Sequence, residues 1–255
     1  MELWHAITLG IVEGITEFLP ISSTGHLMLA TQLLGIASVE FAKSFEIIIQ
    51  LGAILAVVAL YPKRLLMDKE TILRVAAAFV PTAILGLLFY KIIKTYLLGN
   101  LGILLGALFF GGIAIILFER YWKATRERTI GDLSLPEAAV IGALQTVAFI
   151  PGVSRSAMTI FGGIGLGLSR KEAVEFSFFL AAPTMAAAAG LDILKNYDLI
   201  LSGGNFGLLA VGFLVSFVTA AAAIKLLLRY ISTNDFVLFG VYRIIIALVF
   251  LAVFF

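Results

Sequence analysis

The sequence predicts an all-α polytopic membrane protein, an inverted-topology repeat of six transmembrane helices plus two re-entrant helical hairpins. Three observations carry that prediction. Of 255 residues, 61% are hydrophobic and 13% charged, against about half and a quarter in a soluble domain, and the mean hydropathy is +1.09. Several apolar runs approach the roughly 20 residues that a helix needs to cross a bilayer core, and none alternates as a membrane β-strand would. A polar, proline-containing motif occurs in each half of the chain, around Pro20 and again around Pro151.

Apolar segments fall at about 3–19, 24–36, 43–61, 72–93, 98–118, 135–149, 154–168, 173–191, 207–229 and 236–255. Charged loops are expected from Tyr61 to Arg74 and from Glu119 to Leu135, and a polar, Gly-containing turn from Leu194 to Gly207. The pairs 3–19/24–36 and 135–149/154–168 are too short and too polar at their junctions to be ordinary spans. Pro20 and Gly25 are read as breaking the helix between the first two. Each pair is therefore expected to dip into the membrane and return to the same side, as irregular backbone at depth requires shielding by protein or a wet cavity.

The halves align at an offset of 131, which places Pro20 on Pro151, Ser23 on Ser154, Phe45 on Phe176 and Ile93-Lys94 on Ile224-Lys225. One residue of slip upstream puts Gly10 on Gly142 and Glu13 on Gln145. The chain thus reads as one integral domain, with repeat 1 at about 1–120, a cytoplasmic linker at about 121–134 and repeat 2 at about 135–255. A hairpin plus three spans per half inverts the second half, as in many transporters. Under this topology 11 Lys and Arg lie on one side and 4 on the other, with Arg155, Lys225 and Arg243 inside segments. The positive-inside rule makes the 11-charge side cytoplasmic, so the first hairpin opens outward and the two polar tips can meet.

With no cysteine, disulfides, thiolate nucleophiles and Cys-ligated metals are excluded. The acidic start Met1-Glu2-Leu3-Trp4-His5 has no basic leader, so no cleaved signal is expected. The basic residues form no patch with interleaved aromatics, so nucleic acid is not an expected partner. The run Gly162-Gly163-Ile164-Gly165-Leu166-Gly167 does not fit a dinucleotide fingerprint and suits close helix packing.

The chemistry concentrates in two stretches. Glu13 and Glu17, one helical turn apart, are costly at membrane depth at roughly 2.5–3.5 kcal/mol each. A divalent cation would offset both that cost and their repulsion, and a Lys or Arg partner would serve as well. Ser22, Ser23, Thr24 and Gly25 open the next helix, where hydroxyls cap and free N–H groups bind phosphate. His26 lies on the helical face of Ser23, placed to take its proton or to protonate a leaving phosphate. Arg155, between Ser154 and Ser156, can grip phosphate bidentately or neutralise a glutamate. Thr159 and Gln145 complete the expected substrate-binding set, Gln145 standing where repeat 1 has Glu13. Glu46 and Gln50, four apart, either orient the site or pair with Lys43.

These residues resemble the undecaprenyl-diphosphate phosphatases associated with bacitracin resistance. The likeness runs nearly end to end, through Glu13–His26 (EGITEFLPISSTGH), Phe45–Val57 (FEIIIQLGAILAV), Pro151–Thr159 (PGVSRSAMT) and Glu175–Pro183 (EFSFFLAAP). It implies a bacterial plasma-membrane hydrolase with its site opening to the outer face. Such an enzyme converts undecaprenyl diphosphate to the monophosphate and phosphate, recycling the carrier for peptidoglycan synthesis. The resemblance further implies dependence on Mg2+ or Ca2+, Glu13, Glu17, Ser23, His26 and Arg155 at functional positions, and bacitracin as an antagonist that sequesters the substrate. It is also compatible with a homodimer. The rival expectation is a flippase or anion transporter that binds lipid phosphate without cleaving it.

Overall fold

The structure is a computed structural model that describes residues 1–92, 96–97, 99–122, 127–197 and 206–255. Ile93-Lys94 of the repeat alignment, the loop cations Lys123 and Arg126, and residues 198–205 of the polar turn lie outside the described residues. In chain order the helices are α1 (Leu3–Thr16), α2 (Ser23–Leu33), α3 (Glu40–Leu60), α4 (Pro62–Leu66), α5 (Lys69–Ile92) and α6 (Leu101–Tyr121). After a 3-10 turn at Ile130–Asp132 come α7 (Leu135–Gln145), extended by a 3-10 turn at Thr146–Phe149, then α8 (Arg155–Gly165), α9 (Arg170–Lys195), α10 (Phe206–Ile231) and α11 (Val237–Phe254). Six of these, α3, α5, α6, α9, α10 and α11, are long and apolar enough to cross a membrane, and this is a multi-pass α-helical membrane protein.

The sequence explains the shorter elements. Pro62 starts α4 at a position where its missing N–H is not needed, so the expected Tyr61–Arg74 loop is largely helical. Gly25 lies inside α2; the break comes at Pro20 and at Ser22, whose positive φ of 72° ends helical continuity. Ser134 and Glu137 cap α7 reciprocally, each side chain reaching the other's backbone N–H, the S-x-x-E signature of a helix start.

The two hairpins match at a constant offset of 132. Helix starts Leu3 and Leu135 correspond, as do caps Ser22 and Ser154, both with positive φ, and the left-handed glycines Gly35 and Gly167 that follow α2 and α8. This register pairs Ser22, not Ser23, with Ser154, and sets Ser23 opposite Arg155. The packing is reciprocal: α1 lies along α10 of the other half, and α7 along α5.

The start and end of each hairpin lie close together. Arg128, before α7, bridges Leu168 after α8 through backbone bonds to Gly167 and from Ser169. Ala6 and Leu9 of α1 share a buried cluster with Ile36 and Phe41, just after α2. The cationic connections gather at one end. Arg64 pairs with Glu175 at 2.7 Å, Arg170 with Glu119 at 2.5 Å, and Arg74 donates to the carbonyls of Leu133 and Gly131 at 2.6 and 2.7 Å. These contacts tie α4, α5, α6, α9 and the linker together.

At that end Arg128 donates to both carboxylate oxygens of Glu137, at 2.8 and 3.0 Å. Those bonds, with the Ser134 N–H and hydroxyl, hold the Glu137 carboxyl down at about 2. A depressed folded-state value stabilises the fold above the ordinary carboxylate range and stops doing so as pH falls through the depressed value. The unfolding midpoint in detergent of Glu137→Gln should therefore lie below that of the parent at neutral pH, and the two should converge as pH falls from about 4.5 toward about 2.

Candidate functional site

The hairpin turns meet inside the bundle, and both helices that leave them begin under strain. Ser22 and Ser154 adopt left-handed backbone conformations, φ 72° and 82°, at about 1–3 kcal/mol each. In exchange, the Ser22 hydroxyl accepts from the Gly25 N–H at 3.4 Å and that of Ser154 from Ala157 N–H at 3.2 Å. These caps bond the third amide of each helix and not the earlier first-turn amides, those of Ser23 and Thr24 in α2 and of Arg155 and Ser156 in α8. Two helix N-termini at one junction form an electropositive, N–H-bearing surface.

Glu17, the C-cap of α1, joins the hairpins. Its Oε1 accepts from Arg155 Nη2 at 3.0 Å, and its Oε2 accepts the Ser23 hydroxyl proton. Arg155 also donates Nη1 to the Ser177 carbonyl at 2.9 Å, while its Nε has no partner among the described residues. The repeat-equivalent pair Ser23 and Arg155 thus converge on one carboxylate. One turn back, Glu13 is fully buried, and neither of its carboxylate oxygens has a hydrogen-bond partner among the described residues. The charges of Glu17, Glu46 and Arg155 all act on it. A bare buried carboxylate costs several kcal/mol unless something neutralises it.

Other expected residues take supporting positions. Ser154 and Ser156 bond each other at 3.0 Å, and Ser156 donates to the Leu19 carbonyl at 2.7 Å, tying α8 to the opposite turn. Thr159 donates to the Ser177 hydroxyl at 2.7 Å and so braces the residue that holds Arg155. Thr24 is exposed beside the cap. Glu46 has Thr31 and Lys43 as its electrostatic neighbours; Gln50 makes no hydrogen bond to the site among the described residues.

Two expected residues have partners elsewhere. His26 does not touch Ser23. Its Nδ1 lies 2.8 Å from the Ser22 carbonyl, an acceptor only, so Nδ1 carries the proton. Nε2 then accepts from the Tyr242 hydroxyl at 2.8 Å, with the two rings stacked 5.6 Å apart and 6° from parallel. Gln145 does not join the cluster either. Its Nε2 donates to Thr82 and Thr184 at 2.9 and 3.2 Å, in a separate buried cage between α5, α7 and α9. A neutral amide can settle among hydroxyls there, where the equivalent Glu13 cannot.

Sequence reasoning passed over α11. Arg243 is 1% exposed and has no acidic partner among the described residues. It donates to the carbonyls of Pro20 at 3.2 Å, Gly152 at 2.7 Å, Val153 at 2.9 Å and Ala107 at 3.0 Å. One guanidinium thereby satisfies carbonyls of both turns. Room for it comes from Gly111, where a Cβ would lie 2.1 Å from Nη2. Gly152 combines φ 94° with a site where a Cβ would lie 2.5 Å from the Leu104 carbonyl. A cation in the middle of an apolar helix was the available signal.

Arg243→Met should leave buried carbonyls without donors at about 1–3 kcal/mol each, lowering the unfolding midpoint more than any surface Arg→Met variant. Arg243→Lys, a point charge without the planar fork, should recover part of the loss. Thermal unfolding in detergent checks both.

Comparison with known proteins places this geometry. The family described as Bacitracin resistance protein BacA matches residues 6–249. A protein of Aquifex aeolicus named undecaprenyl-diphosphatase is 50% identical, with 100% of this chain and 99% of the relative covered. Proteins of the same name from Wolinella succinogenes and Thermus thermophilus are 49% and 46% identical, with 98% of this chain and 98% and 97% of the relatives covered. With a match spanning nearly every helix and both hairpin turns, the chain belongs to the bacitracin resistance protein BacA family.

Proposed function

We propose that this protein hydrolyses undecaprenyl diphosphate to undecaprenyl phosphate and phosphate. The observation that carries the reading is the junction at Glu17, where a hydroxyl and a guanidinium from two helix starts meet one carboxylate beside the bare carboxylate of Glu13. The names of the relatives supply the substrate. The concentration of cations at one end supports a cytoplasmic assignment for that end. The first hairpin is then re-entrant from the outer face of the plasma membrane and the second, in the inverted repeat, from the cytoplasm. In this reading the protein returns the carrier for peptidoglycan synthesis, and bacitracin opposes it by sequestering the diphosphate.

The donor set fits a hard divalent cation. Glu13 offers two unpartnered oxygens and Glu17 lies one turn away. No cluster of three or more metal-ligating His, Cys, Asp or Glu occurs among the described residues. Two carboxylates completed by substrate phosphate oxygens and water suit Mg2+, and Ca2+ takes the same donors. When bound, the ion would neutralise phosphate oxygens and stabilise charge on the leaving group.

The protein's own residues divide the rest of the work. Arg155, with its Nε free, and the first-turn amides of α2 and α8 bind the diphosphate oxygens. Ser23 attacks the terminal phosphorus, and Glu17, already accepting its hydroxyl proton, takes that proton as the Oγ–P bond forms. The bond to the bridging oxygen breaks, and undecaprenyl phosphate leaves. Water then cleaves the phosphoserine. Alternatively Ser23 holds a water that attacks directly, with the same carboxylate as base. His26 steadies the strained Ser22 carbonyl at the head of α2. Positioned charge rather than covalent chemistry is expected to carry most of the acceleration.

Phosphate release by the purified protein in detergent tests the reading. Release from undecaprenyl diphosphate should stop with chelator and return with Mg2+ or Ca2+. Glu13→Gln, Glu17→Gln and Arg155→Lys should each lose on the order of 100-fold or more in kcat/KM. Diphosphate binding without release, metal present, would instead identify a carrier. Acid-quenched single turnovers separate the two routes, since only serine attack leaves phosphate on Ser23.

A further inference from the structure

A second feature begins on the same turn. A groove of about 380 Å³ runs between the end of α1, α10 and α11. Ile15 and Leu19 form one wall, and Ala222, Ala223 and Leu226 the other. The alanines leave the recess that larger side chains would fill. Its far end is closed by Tyr230 and Phe239, whose rings meet edge to face 5.4 Å apart.

The lining is apolar apart from Thr219, whose hydroxyl donates to its own helix at Val215, 2.8 Å away, and the Tyr230 hydroxyl. A polar ligand would find almost nothing to bond. The groove is open toward the bilayer, with Ile15 and Leu226 44% and 66% exposed. One wall belongs to the turn that carries the site: Leu19 lies two residues past Glu17, and its carbonyl accepts from Ser156 at 2.7 Å. An apolar chain entering from the lipid would therefore run along the wall of the turn that holds the reacting groups.

We infer that this groove binds the isoprenoid segment of the diphosphate lipid, with the chain running from Leu19 toward Tyr230 and Phe239. The inference rests on the substrate proposed above. It makes α10 the element that selects a long apolar chain, while the hairpin turns select the diphosphate.

Two experiments test it on the intact protein in detergent. Ala222→Trp and Leu226→Trp fill the groove from exposed, lipid-facing positions that folding tolerates. Each should raise KM for undecaprenyl diphosphate about tenfold, the effect of losing apolar contact for roughly two carbons, with the larger share of the loss in KM rather than kcat. Val218→Trp, 62% exposed on the same helix and outside the groove, should change neither. Separately, a photoreactive phenylalanine at Leu226 should crosslink labelled undecaprenyl diphosphate, and unlabelled undecaprenyl diphosphate should compete where excess phospholipid does not. An unchanged KM in both tryptophan variants, or competition by phospholipid alone, would overturn the inference and leave the groove an ordinary lipid crevice. If the parent protein released no phosphate, the proposed reaction itself would fail, a distinct result.

Discussion

Helices that end inside an apolar bundle strand their terminal carbonyls where water cannot reach them. That constraint governs this protein. Both hairpin turns lie inside the bundle, and Arg243 resolves the problem for both with one side chain, donating to Pro20, Gly152 and Val153. A lysine could not span these acceptors. Because the same guanidinium also holds α6 through Ala107, the turns are referenced to a rigid helix pair, α6 and α11. Together with the Arg155–Glu17 pair and the Ser156 bond to the Leu19 carbonyl, this cation fixes the relative position of the two turns.

The symmetry of the fold then acquires a chemical meaning. Two equivalent hairpins present two equivalent caps, each strained, each opening a helix N-terminus toward the junction. Identical halves would duplicate one set of groups. Instead the position after each cap carries Ser23 in one half and Arg155 in the other, and both reach Glu17. The turn before each cap differs as well: Glu13 remains bare, whereas Gln145 is absorbed among Thr82 and Thr184. The two hairpins are alike in geometry and differ in the side chains they carry. Acid, hydroxyl and base-stable cation meet without any loop long enough to wander.

Burial explains why so few polar groups suffice. In a low-dielectric junction each charge acts strongly on its neighbours, and Arg155 is within reach of both glutamates' influence. His26 illustrates the reverse case. Its two nitrogens are engaged by Ser22 and Tyr242 rather than by Ser23.

The chain's own order of residues determined a good deal. Apolar run length located all six spans to within a few residues, since a membrane helix must be both long and apolar. The polar interruptions at Glu13–His26 and Gln145–Thr159 marked the turns, because polarity at depth has few uses other than function. The loop cations marked one end of the bundle. Contacts between distant residues were beyond that reading. Ser23 and His26 share a helical face, but Ser23 bonds Glu17 across the turn and His26 bonds Tyr242, 216 residues away. The left-handed φ of Ser22 and Ser154 reset the repeat register by one, a matter of backbone conformation that residue identity does not display. Arg243 stood in plain view as a charge within a span, yet its acceptors are backbone carbonyls, which every sequence has and none announces. Local periodicity and cost of burial can be read from a linear chain; which buried donor meets which acceptor is decided only when the helices pack.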